Sequence, residues 1–153
     1  MDKRQQDILD QFSLFDDWME KYQYIIDLGK KLEPVSDDER NEENRLHGCQ
    51  SQVWMVHEKW PDGSLHFRAN SDAAIVSGLI ALVLAVYNDR KPEEILQLTP
   101  EFIEKLGLQS HLSMTRSNGL NAMIERIRDI AKENFEHDAV KDGSGAEQTS
   151  GSG

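Results

Sequence analysis

The sequence predicts an α+β fold: helices first, then a small antiparallel sheet, then helices again. Three observations predict it. Apolar residues recur at helical spacing up to about residue 31, and the pattern changes to alternation around a Pro-Asp-Gly turn at residues 61–63. Helical spacing then returns after Ser71 and continues to the region of Phe135.

The first segment carries two apolar stripes. Ile8, Phe12 and Phe15 form one, and Trp18, Tyr22, Ile25 and Ile26 form the other. The Phe-Asp-Asp-Trp junction at residues 15–18 is a candidate break into two helices, and Gly29 is a candidate stop. Residues 31–44, KLEPVSDDERNEEN, are acidic and nearly without apolar side chains, so they read as an exposed connection. Ser36 and Glu39 have the spacing of a short capping box.

The sheet comes next. QVWMVHEKW (residues 52–60) is rich in β-branched and aromatic residues, and WPDGS is a turn sequence. In SLHFRAN, Leu65, Phe67 and Ala69 alternate with His66 and Arg68. These segments predict a hairpin. ENRLH (residues 43–47) just upstream predicts a third strand. Gly48 and Cys49 then lie at the loop that joins it to the next strand.

The helices after the sheet have clear starts. AAIVSGLIALVLAVY, residues 73–87, is apolar nearly all round, and it is shorter than the ~20 residues of a membrane span. It reads as a core helix, with Asp72 or Ser71 as its cap. Pro92 and Pro100 sit where helix first turns favour proline, Thr99 is the expected cap of the second, and Gly107 is its expected stop. The last helix buries Leu120, Met123, Ile124, Ile127, Ile130 and Ala131. Residues 140–153 are Gly/Ser-rich and polar, so one domain is expected over 1–139 with a disordered tail.

Composition narrows function. The chain has 153 residues, enough for one core, and a formal charge of −11, which disfavours phosphate backbones and hence nucleic acid. The N-terminal sequence has no apolar h-region, and nothing reads as a membrane span. With one cysteine, Cys49, the chain forms no internal disulfide, no thiolate zinc site and no cluster of its own. A reducing, cytoplasmic setting follows as the expectation, and so does a monomer.

Cys49 itself has two readings. A free cysteine is often a small buried hydrophobe. Here it follows Gly48 and precedes Gln50, Ser51 and Gln52, outside any periodic apolar segment. That placement suits a presented thiol. A dithiol redox cycle lacks its second cysteine, and no phosphatase or papain-like pattern surrounds the residue. A one-cysteine peroxidase and a non-catalytic adaptor stay open beside a thiol that accepts a group and passes it on.

Three blocks then carry a resemblance: GCQSQVW (48–54), SDAAIVSGLIALV (71–83) and HLSMTRSNGLNAMI (111–124). In order and spacing they resemble the motifs of the SufE family, the cysteine-desulfuration proteins of iron–sulfur cluster assembly. The resemblance implies a SufE/IscU-like fold with a small three-stranded antiparallel sheet covered by helices. It implies that Cys49 takes a persulfide sulfur from a PLP-dependent cysteine desulfurase of the SufS or CsdA type. It also implies that docking stimulates that enzyme, and that the sulfur goes on to a scaffold such as a SufB-containing complex. No cofactor or metal of its own is implied. Gly48, Gln50 and Ser51 around the thiol, with Asp72 and Arg116 in the other two blocks, are the candidate supporting or partner-binding residues. For Asp72 the competing role is a helix cap; for Arg116 it is an ion pair that ties the last helix to the body. A loop that rests its sulfur against an apolar hollow, walled by part of the sheet and by residues 75–79, and opens on docking completes the expectation.

Overall fold

The computed structural model describes residues 2–47, 51–111 and 114–139, without the side chains of 109, 114–117 and 139. The tail expected to be disordered therefore lies outside the described residues.

The N-terminal segment is two helices, α1 (Lys3–Phe12) and α2 (Trp18–Gly29). Local chemistry makes the break. Asp17 accepts the Glu20 amide at 2.9 Å, and the Glu20 carboxylate accepts the Asp16 amide at 2.9 Å. Such a reciprocal cap fixes a new helix start. Gly29 is the last residue of α2 and has a second role. A Cβ there would lie 2.6 Å from the Gly78 nitrogen, and one on Gly78 would lie 2.1 Å from the Ile25 carbonyl oxygen. The two glycines let α2 press directly on α3 (Ala74–Tyr87).

β1 (Val53–Lys59) and β2 (Leu65–Ser71) pair antiparallel, in a register running from Val53–Ser71 to Lys59–Leu65. Gly63 closes the turn at φ +92°, and the Asp62 carboxylate accepts the Ser64 amide and hydroxyl at 2.9 and 2.7 Å. Positive φ at this step suits glycine. Val53, Met55, Leu65, Phe67 and Ala69 are buried on the face toward α3. Burying a side chain such as Phe67 contributes about 1.5–3 kcal/mol.

The sheet has two strands, where the sequence predicted three. Asn41 caps a 3₁₀ turn over Glu42–Asn44, accepting the Asn44 amide at 3.0 Å. That turn takes up the start of the expected strand, Glu43 and Asn44. Only the bridge Arg45–Trp54 remains, with the Leu46 amide donating to the Val53 carbonyl at 2.8 Å.

α3 is the hub. It packs against α2, β2, α1 and the long α7 (Met114–Ala139), and most of its length is buried, from Gly78 to Tyr87. Between them run α4 (Pro92–Gln97), α5 (Glu101–Lys105) and α6 (Leu108–His111). Pro92 opens α4 as expected, whereas α5 starts one residue later than expected, with Pro100 and not Thr99 as its cap. Gly107 ends α5 at φ +77°. The expected stripe on α7, from Leu120 to Ala131, is buried.

Candidate functional site

The described residues on either side of 48–50 are tied down at the end of the hairpin where β1 begins and β2 ends. On one side the Leu46 amide donates to the Val53 carbonyl. On the other, the Gln52 amide donates to the Asp72 Oδ1 at 3.1 Å and the Asp72 amide donates to the Gln52 carbonyl at 3.3 Å. Gly48, Cys49 and Gln50 come between these two arms in the chain and lie outside the described residues. Ser51, just after them, is half-buried.

Asp72 departs from its expected role. The cap residue of α3 is Ala73, and no side-chain cap bond forms there. The Ser71 hydroxyl instead accepts the Ala73 amide at 3.2 Å, so serine meets the need of the entering backbone. The Asp72 carboxylate is turned to the loop, and the Ser71 hydroxyl also lies 3.4 Å from its Oδ1. Sequence reasoning missed this tether because its partner is twenty residues away in the chain.

Arg116 lies in the first turn of α7, and its side chain lies outside the described residues. The structure therefore brings Ser51–Gln52 and Asp72 together, while the placement of the Arg116 side chain lies beyond it. The approach to that helix is fixed by aromatics. His111 stacks on Trp18 with ring centroids 3.8 Å apart, and the Tyr22 hydroxyl donates to the His111 carbonyl. Lys21 sits over the same Trp18 ring at 5.0 Å.

The surroundings of the loop are polar and charged. The exposed His47 Nε2 lies 3.0 Å from Glu42. Arg40 lies over the Trp54 ring at 5.7 Å. Arg45 was not singled out from sequence, although it sits four residues before the thiol. Its Nε and the Asn70 Oδ1 are both buried with no hydrogen-bond partner. They flank Trp54 in consecutive backbone pairings. Val53 and Leu79 are buried, and Ile75 and Val76 are partly buried against the core. These are the residues expected to wall a hollow.

Partial burial of the His57 ring first, and then the Arg126 charge, hold its pKa below the usual imidazole range, although the residue's surface is exposed. A neutral imidazole of this kind is no cation for a thiolate. Among the described residues, no cluster of histidine and carboxylates has the makings of a metal site, and no helix is long and apolar enough to cross a membrane.

Comparison with known proteins adds the family context. The model of the family described as "SufE: Fe-S metabolism associated domain" matches residues 6–131. An uncharacterised SufE-like protein of Rhizobium etli is 44% identical over 129 residues, spanning 82% of this chain and 87% of that one. Another, of Rhizobium meliloti, is 41% identical over 129 residues, spanning 82% of this chain and 92% of that one. A solution structure of a hypothetical protein from Thermus thermophilus superposes with a TM-score of 0.70 over 87% of this chain and 96% of that chain. Its sequence identity is 19%, so it speaks to the fold alone.

Proposed function

This chain belongs to the SufE family, a family associated with iron–sulfur metabolism, and on that premise we propose that it is a covalent sulfur carrier. Cys49 accepts the terminal sulfur of a persulfide on a PLP-dependent cysteine desulfurase, and docking stimulates that enzyme. The sulfur is then delivered to an iron–sulfur scaffold. The PLP belongs to the partner. The setting is the reducing cytoplasm, where a lone thiol persists.

The observation that carries the reading is the pair of clasps on either side of residues 48–50. In sequence the chain's only thiol falls between Leu46, tied to Val53, and Gln52, tied to Asp72 just before the core helix. A scaffold able to build a cluster needs several ligands, and this chain offers one thiolate. One sulfur nucleophile suffices for transfer.

The step follows thiol–disulfide exchange. The Cys49 thiolate attacks the outer sulfur of the partner's persulfide. A new sulfur–sulfur bond forms on Cys49 as the old one breaks, and the partner's cysteine leaves as a thiolate. The bond made and the bond broken are of one kind, so no outside oxidant or reductant enters. The attacker must be ionised, and an ordinary thiol of pKa about 8.5 is mostly protonated near neutrality. Arg45 supplies the loop with a nearby cation in the chain, and Gly48 and Gln50 supply backbone N–H groups. Asp72, Ser51 and Arg116 serve as supporting or partner-facing residues.

The test is Cys49→Ser with a desulfurase, cysteine and a thiol reductant. Sulfide release by the desulfurase should lose its stimulation while the complex still forms in a binding assay. Full stimulation by the serine variant would leave only a non-catalytic adaptor.

A further inference from the structure

The outer face of the hairpin carries a second ionisable arrangement, toward its turn end. His66, on β2, uses both ring nitrogens. Nδ1 lies 2.8 Å from the Asp89 carboxylate and Nε2 lies 2.6 Å from the Glu33 carboxylate, and the side chain is only 12% exposed. An imidazole that donates from both nitrogens is the protonated form. Its two partners come from different parts of the chain. Glu33 opens the acidic segment that leads into Arg45 and Leu46, and Asp89 lies in the α3–α4 turn at φ 59°.

The two partners are not equally secured. Asp89 also accepts the Trp60 Nε1 at 2.7 Å, and the Trp60 ring lies beside His66 at 4.9 Å. Among the described residues Glu33 has no other hydrogen bond. A neutral imidazole has one N–H to give. When His66 loses its proton, one ring nitrogen turns a lone pair toward a carboxylate; Asp89 is held in place by Trp60, so Glu33, exposed and without a second bond, is the one that turns away into water.

We propose that His66 is a pH-sensitive tie for the segment 33–44: protonated, it pins Glu33 to the hairpin; neutral, it frees the Glu33 end of the segment that leads on to Arg45 and Leu46. Two residues along β2, Arg68 holds the same segment beside Glu33, through the Pro34 carbonyl at 3.0 Å, and at its middle, through both Glu39 oxygens at 2.9 and 2.8 Å. Arg40 lies over Trp54 farther on. The tie therefore loosens one end without detaching the whole; at the far end His47 lies 3.0 Å from Glu42, so His66→Gln is the control that isolates the His66 contribution.

The charged groups facing His66 agree on direction. Glu58, its cross-strand partner on β1, adds a third carboxylate to Glu33 and Asp89. Arg68 on the same strand is engaged by Glu39, and Arg4 acts on Asp89 from α1. Burial pushes the His66 pKa down, but the bonds to Asp89 and Glu33 outweigh it and the net shift is upward. A group raised in the folded state stabilises it fully at low pH, and that contribution fades as pH rises through the folded value. The tie thus opens on the alkaline side of ordinary histidine titration.

The proposal rests on the carrier reading only for what the loosened arm would serve. Its test uses the full chain and no desulfurase, so its failure leaves sulfur acceptance untouched, and the reverse also holds. Imidazole resonances are followed by NMR between about pH 6 and about pH 8.5, together with amide exchange over residues 35–46 corrected for intrinsic rates. The expected midpoint of His66 lies above that of the urea-unfolded chain and falls in Glu33→Gln. Protection of the segment should drop about threefold to tenfold across that range in the wild type and stay flat in His66→Gln. A midpoint at or below the unfolded value, or an equal loss of protection in His66→Gln, overturns the proposal. Should His66→Gln fold poorly, Glu33→Gln decides, because its exposed carboxylate is removed while the ring remains.

Discussion

Asp72 and Gln52 hold each other twice: the Gln52 amide donates to the Asp72 carboxylate at 3.1 Å, and the Asp72 amide donates to the Gln52 carbonyl at 3.3 Å. The side-chain half of that pair is removable. Asp72→Ala should leave the helix that follows intact, since the Ser71 hydroxyl holds the Ala73 amide. The stability cost should be about 1 kcal/mol or less, because the bond is exposed. The Gln52 amide should lose hydrogen-exchange protection and amides in the middle of α3 should not. Equal losses at both places would return Asp72 to the role of a helix cap.

The contact between α2 and α3 makes a sharper prediction. Alanine at residue 78 gains about 1 kcal/mol of helix propensity over glycine. Against that, its Cβ would stand 2.1 Å from the Ile25 carbonyl oxygen, a backbone atom with nowhere to turn. Gly78→Ala should therefore destabilise by about 2 kcal/mol or more in urea titration. A stabilised variant would show that the two helices sit farther apart than described.

The Arg68–Glu39 pair predicts an acid-side titration. The Arg68 bonds first, and then the Ser36 amide, hold the Glu39 carboxyl at about 2, below its ordinary 4.5. A depressed carboxyl stabilises the fold above its unfolded value, and that contribution is lost as pH falls through the folded one. Carboxyl NMR should find the Glu39 midpoint near 2, and Arg68→Gln should move it back toward 4.5. No movement would mean that the pair does not persist in solution.

Tyr87 carries a hydroxyl that is buried without a hydrogen bond, and burial pushes its pKa up to about 12. An unpaired buried hydroxyl costs about 1–3 kcal/mol. Tyr87→Phe keeps the packing and removes the cost, so it should raise stability by about 1 kcal/mol. A loss of stability instead would reveal a partner for that oxygen.

Features written in local chemistry were legible in the sequence. The Pro-Asp-Gly turn, the alternation from Leu65 to Ala69, the proline at the start of α4 and the break before Trp18 each depend on residues within a few positions of one another. What sequence did not reveal depended on distant partners. Asp72 looked like a cap because its true partner, Gln52, is brought near only when the hairpin closes. The expected third strand failed for a local reason that hydrophobic pattern does not weigh: Asn41 captures the Asn44 amide and folds Glu42–Asn44 into a turn. Gly29 looked like a stop, and nothing in its neighbours announced that Gly78 would meet it across a helix crossing. The candidate site was legible as a lone thiol after a glycine; the two clasps at its base were not.

The central claim is that Cys49 carries sulfur. Its most direct test is the intact mass of the chain after incubation with a PLP-dependent cysteine desulfurase and free cysteine, with and without reductant. The account predicts a gain of one sulfur atom that reductant removes and that Cys49→Ser never acquires. An unchanged mass in the wild type, or the same gain in the serine variant, would contradict it.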